Sequence, residues 1–183
     1  VCFAATPEVL RQAAAWGAQL LITHEPTYYT HLNEFKPSLL TNQKKELVES
    51  TGITIYRYHN SMHFRDEDMV SRVFLERMNW KGTFDGQLKF TLDTPLSPAQ
   101  VIKDICSGLG LPCLRAIGRD DGIVRKIALF LGARDESVYE PFFTDDTDLA
   151  ICGEICEWEF GDPVREAAQF GMQNSMVLLG DVE

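Results

Sequence analysis

VCFAATPEVLRQAAAWGAQLLITH, residues 1–24, changes its pattern twice, and those changes decide the fold class. Residues 1–5 form a short apolar run, the signature of a buried strand. Thr6-Pro7-Glu8 then supplies a capping hydroxyl, a proline at the first helical position and an acid in the first turn, which together start a helix. Val9, Leu10, Ala13 and Ala14 recur at helical spacing, and Gly17 is a natural stop. Residues 18–23 form a second buried strand that ends at His24. Strand, helix and strand in this order favour a parallel pair joined by a crossover.

The same pattern continues outward. Residues 36–50 read as a helix with Pro37 in its first turn, with Leu39, Leu40, Leu47 and Val48 on one face, closed by Gly52. Residues 53–58 alternate too little for a half-exposed strand and read as a central one, followed by His59-Asn60-Ser61-Met62-His63. A helix over 66–78 and a strand or hairpin over 82–93 follow. From Thr94 the pattern resets with Ser97-Pro98-Ala99-Gln100, a new helix start running to about Leu109. Residues 114–117, 126–131, 149–151 and 175–179 read as strands, 162–170 as a helix, and Asp120-Asp121-Gly122 as a turn. The chain is therefore mixed α/β with more than one strand–helix–strand unit. The expected division is 1–93 and 94–183.

The composition bounds the function. The 183 residues carry 17 Lys and Arg against 27 Asp and Glu, a net charge of −10, which argues against a nucleic-acid or anionic-membrane footprint. No apolar run approaches the ~20 residues that span a bilayer. Five cysteines without framework spacing read as reduced thiols in a cytoplasmic protein. Cys152 and Cys156 are four apart and could face each other on a helix, but a zinc knuckle needs two more ligands at matching spacing, so they read as small semi-buried residues. A strand at the first residue and the absence of an initiating Met there point to a trimmed or partial chain, which leaves any targeting leader out of view. Phosphate-loop, nucleophile-elbow and dinucleotide-glycine patterns are absent.

The chemistry concentrates in four histidines, His24, His31, His59 and His63. His24 and His59 each follow a buried strand, and ligands in open α/β sheets gather at the carboxyl ends of strands. His59 and His63 are spaced to share one face of a helix, and Glu25 adds a carboxylate beside His24. Imidazole with carboxylate suits zinc, iron or manganese. Hydrogen-bonded structural histidines remain the competing reading, and His31, in a polar loop, reads as a surface residue. Glu154, Glu157 and Glu159 surround Trp158, and Asp181 follows the last strand. Tyr28, Tyr29 and Trp158 could stack on a base or simply pack.

These residues resemble the Nif-three-like dinuclear metal proteins, also called GTP cyclohydrolase type 2-like. Ala5-Thr6-Pro7-Glu8-Val9 resembles the family's DATPEV, with Ala4 in place of its Asp. Residues 20–26, LLITHEP, resemble LIITHHP, and residues 58–63, YHNSMH, resemble AHTNLD. Cys152-Gly153-Glu154 resembles TGE, and Leu178-Leu179-Gly180-Asp181 resembles the strand entering GHYxxE. The matches run in order along nearly the whole chain.

The resemblance implies two interlocked three-layer α/β units with mixed, mostly parallel sheets, two metal ions in a cleft, and a ring-shaped homohexamer. It carries His24 and His59 over as ligands. Glu25 stands where a second histidine is usual, His63 where an aspartate is usual, and Asp181 where a histidine is usual. Each exchange replaces one donor with another, which fits a rearranged site. An imidazole does not bridge two ions as a carboxylate does, so His63 cannot inherit a bridging role; Glu25 or Asp181 could bridge, or the site holds one ion. The family's final glutamate falls about two residues past Glu183, and its N-terminal segment precedes Val1, as a chain truncated at both ends would show.

Two functions follow as expectations. The first is a metal-dependent hydrolase in which His24, Glu25, His59, His63 and Asp181 hold one or two ions of zinc, iron or manganese. Glu154 or Glu157 would carry the proton, and the substrate would be a nucleotide or other small phosphorylated compound. The second is a non-catalytic, metal-binding oligomeric scaffold or regulatory partner.

Overall fold

The computed structural model describes residues 1–63, 66–133, 142–143 and 146–180. It has the mixed α/β character read from the sequence, in two compact units, 1–64 and 65–183. The division comes earlier than the expected 93/94 boundary. Strand β4 (Lys89–Leu96) runs through residue 93, and its pairing partners lie in the second unit.

In the first unit, α1 (Pro7–Ala15) starts as the sequence dictates, with Thr6 Oγ1 accepting from Val9 N at 3.2 Å. Strands β1 (Leu20–Thr23) and β2 (Thr54–Arg57) pair in parallel, joined across α2 (Leu39–Thr51). Ala5, Leu10, Ala13, Leu21 and Ile53 form its core, with Leu47 and Val48 of α2 packed against it. Three expectations are corrected here. Residues 1–5 make only a single parallel bridge, Cys2 to Thr23, because Thr6 N turns back to Ala4 O at 2.9 Å and ends the ladder. Helix α2 begins after Pro37, where Ser38 and Thr41 exchange reciprocal capping bonds, and this leaves Leu39 and Leu40 exposed. Strand β2 is not central: among the described residues it pairs only with β1, and Tyr56 is 55% exposed. Gly52 adopts the left-handed conformation (φ 65°) that ends α2, as expected. The last element of this unit is one helical turn, α3 (Asn60–His63).

The second unit has three layers. Its sheet runs β3-β4-β6-β7-β8-β5, where β3 is Gly82–Phe84, β5 is Arg115–Gly118, β6 is Val124–Ala133, β7 is Leu149–Glu154 and β8 is Ser175–Leu178. The β6-β7 and β7-β8 pairs are parallel, and the flanking pairs are antiparallel. Strand side chains alternate faces, so Ile127, Leu129 and Leu131 of β6 join one core, and Ala128 and Phe130 the other. Helices α4 (Met69–Met78) and α5 (Pro98–Leu109) cover the first face, and α6 (Asp162–Gln169) covers the second. Burial on both sides explains why these strands read as continuous apolar runs. Helix α4 starts at Met69 rather than residue 66, because Asp68 is the residue that caps it, by accepting from Ser71 N at 2.8 Å. Cys152 is buried in β7 and Cys156 lies beyond its end, so the two do not share a helix face. Among the described residues no helix is long and apolar enough to cross a membrane.

A π-helical turn, Glu157–Gly161, leads into α6. Its Glu157 Oε1 accepts from Arg115 of β5 and from Arg165 of α6. Hydrogen bonds from Arg115 and then Arg165 hold the Glu157 carboxyl below the ordinary glutamate range. The clamp fastens a sheet edge to the helix covering it.

Two predictions follow. Ile105→Ala, which empties a fully buried position, is expected to cost about 2–5 kcal/mol, read as a lower urea midpoint; Trp16→Ala, at an 88% exposed site, is expected to leave the midpoint nearly unchanged. Because Glu157 is more acidic folded than unfolded, its stabilisation is complete above the ordinary value of 4.5 and disappears as pH falls through the lower folded value. Glu157→Gln should therefore be less stable than wild type at pH 7, with the gap closing toward acid; a gap that does not change with pH would contradict the clamp.

Candidate metal centre

Parallel pairing places the carboxyl ends of β1 and β2 side by side, with Thr23 opposite Arg57. Tyr58 N extends the ladder by donating to Thr23 O at 2.7 Å. The residues just past those ends are His24 and His59, and their ring centres are 4.5 Å apart. Helix α3 turns the chain back after His59, which brings His63 to 5.2 Å from the His59 ring and 5.8 Å from the His24 ring. One ring nitrogen from each of the three lies within 4.8 Å of the others. All three residues are half-buried.

The surroundings hold the His24 and His59 rings. His24 N and Glu25 N both donate to Phe3 O, at 3.0 and 2.8 Å, and the Phe3 ring stacks on His24 at 5.7 Å. The buried Thr23 hydroxyl donates to Glu25 O at 3.1 Å and tightens the turn. The Glu25 carboxylate is 3.8 Å from His24 Nε2. Asn60 Oδ1 faces His59 Nδ1 at 2.8 Å. An amide oxygen accepts only, so Nδ1 carries the proton and the Nε2 lone pair remains for a metal, the usual outer-shell arrangement of ligating histidines.

Three imidazoles with a carboxylate beside them are a donor set that fits zinc, iron or manganese. His24, His59 and His63 thus come together in the first unit, with Glu25 beside His24. Asp181 lies outside the described residues. Glu154 and Glu157 belong to the second unit, where with Arg115, Gly153, Leu178 and Gly180 they help line an open groove of about 890 Å³ at the carboxyl ends of β7 and β8. Glu154 is exposed at the end of its strand. Glu157 is held ionised by two guanidinium groups, which makes it a weak base and argues against it as a proton carrier.

Two participants were missed in the sequence. His31, read as a surface residue, is exposed but meets the His59 ring edge-on at 5.8 Å. Arg57 of β2 donates through Nε to His24 O at 3.1 Å and through a terminal nitrogen to His31 O at 2.5 Å. A cation two residues before His59, inside a strand read as buried, was the available signal for Arg57. Of the aromatics, Tyr28 packs edge-on against Phe35, Tyr29 lies beneath the Lys44 ammonium at 4.4 Å, and Trp158 is 70% exposed.

Among solved structures, the chain is similar to the Bacillus cereus protein related to NIF3, with a TM-score of 0.76 and 13% identity over 98% of this chain and 77% of that one. It is also similar to the Staphylococcus aureus protein SA1388, at 0.73 and 15% identity over 98% and 72% of the two chains. Reduced HcgD from Methanocaldococcus jannaschii matches at 0.65 and 15% identity over 98% and 70%. At these identities the likeness is one of fold. No curated protein matches the sequence. The model of the Duf34/NIF3 (NGG1p interacting factor 3) family matches residues 1–172, and with the shared fold this establishes that the chain belongs to that family.

Proposed function

We propose that this protein is a metal-dependent hydrolase acting on a nucleotide or another small phosphorylated compound. The observation that carries the reading is the convergence of His24, His59 and His63, whose ligand atoms lie within 4.8 Å of one another. These three would hold the ion, with Glu25, and Asp181 by the family resemblance, as further oxygen donors. A bound divalent ion supplies Lewis-acid polarisation and lowers the pKa of water toward neutrality. The protein's own contribution is positional. Asn60 sets the His59 tautomer, Phe3 supports the His24 ring, and Thr23 fixes the turn that presents Glu25. Glu154 is proposed as the proton carrier, on its exposure and on the likeness of residues 152–154 to the family's TGE segment. With a net charge of −10, the ion itself would provide most of the attraction for an anionic substrate.

The second reading is a metal-binding scaffold or regulatory partner, in keeping with a family named for a protein interaction. Both readings propose a homo-oligomer, a hexameric ring by resemblance, in the cytoplasm.

The test is elemental analysis on protein purified without a His-tag or chelator, with His59→Ala alongside, followed by a hydrolysis screen over nucleotides and phosphoesters. The hydrolase reading predicts about one to two equivalents of metal, as in sites of one or two ions. It predicts that His59→Ala loses metal and turnover together while its circular dichroism is unchanged. Stoichiometric metal without turnover on any compound would favour the scaffold. A folded protein that takes up no metal after add-back would overturn both.

A further inference from the structure

We propose that His31 is a fourth imidazole ligand of this centre, delivered by Arg57; the inference rests on the metal-binding reading above. Two imidazoles on one tetrahedral ion, each with a metal–nitrogen distance of about 2.0–2.1 Å, hold their ring centres roughly 5 Å apart. The three pairs within the histidine group are at 4.5, 5.2 and 5.8 Å. His31 stands 5.8 Å from His59, as near as His63 is to His24. An ion that accepts more than four ligands, as iron or manganese does, has room for a fourth imidazole beside Glu25 and a water.

His31 is placed there by a built loop. Tyr29 and Asn33 both take positive φ, 64° and 57°, a conformation uncommon for a residue such as Tyr29 and accessible to Asn through its short polar side chain. Asn33 Oδ1 accepts from Tyr28 N at 3.1 Å, Asn33 N donates to Thr30 O at 2.7 Å, and the Lys44 ammonium covers the Tyr29 ring. Arg57 then fastens the loop to the centre, since one guanidinium serves the carbonyls of both His24 and His31. A planar fork with five donors can do this, whereas a lysine, as a point charge, cannot span both carbonyls in the same way. The backbone of residue 31 is therefore fixed relative to residue 24, while its side chain is exposed. Exposed side chains change rotamer within nanoseconds. His31 is not one of the three residues whose ligand atoms lie within 4.8 Å of one another, so ligation requires that side-chain rotation, in which the His31 ring leaves its edge-on contact with His59. Arg57 is a positioning residue: it touches the ligand backbone and not the ion.

Cobalt(II) titration followed by visible absorption tests this on the full chain, comparing wild type, His31→Ala, Arg57→Ala and His59→Ala. The expected result is that His31→Ala weakens Co²⁺ affinity at least tenfold and alters the ligand-field bands, while its metal-free urea midpoint matches wild type. Arg57→Ala is expected to weaken affinity in the same direction with His31 still present, and His59→Ala to abolish binding. If His59→Ala loses binding while His31→Ala keeps wild-type affinity and spectrum, His31 is not a ligand and the three-histidine centre stands. If wild type binds no cobalt, the metal-binding reading and the proposal fail together.

Discussion

The parallel pairing of β1 with β2 is the constraint on which the candidate site depends. Two parallel strands end on the same side of their sheet, so once the crossover through α2 has closed, the residues that follow them meet. The register sets Thr23 against Arg57, and so decides that the neighbours are His24 and His59. An antiparallel pair would separate them by the length of the strands. A one-residue slip would turn one strand's side chains to the opposite face and break the meeting. The apolar core under this pair, from Ala5 and Leu10 to Ile53, holds the register, and the single turn α3 needs only three further residues to add His63.

Carboxylates and cations divide the remaining work. In the second unit Glu157 is committed to two arginines and acts as a mechanical tie between β5 and α6. In the first unit Arg57 does its work through backbone carbonyls, leaving Glu25 beside His24. The acidic balance of the chain thus hides local pairings in which Arg57, Arg115 and Arg165 each have specific partners. That is why net charge, which bounds the partners well, says little about which acid performs which task.

Much of the fold was legible because its signals are periodic or local. The Thr6-Pro7-Glu8 and Ser97-Pro98 helix starts, the left-handed Gly52 and the doubly buried strands of the second unit all follow from short-range rules. His24, His59 and His63 were visible as residues at strand ends and in motif order. His31 was not, because its approach to His59 depends on two residues in a rare backbone region and on a guanidinium reaching from another strand. The reading of β2 as central failed for a related reason: weak alternation signals burial, but it does not show whether a second neighbouring strand exists. The compact units divide before Thr94, whose reset of pattern marks a new helix start inside the second unit, after its first hairpin has already formed.

The paired strand ends and α3 bring His24, His59 and His63 together as a nitrogen-rich set that could hold a metal ion. X-ray absorption fine structure at the zinc edge of the zinc-loaded protein tests it most directly. The account predicts a first shell of nitrogen and oxygen at about 2.0–2.1 Å, with outer-shell scattering from at least three imidazoles. A sulfur shell at about 2.3 Å, or scattering from fewer than three imidazoles, would contradict it.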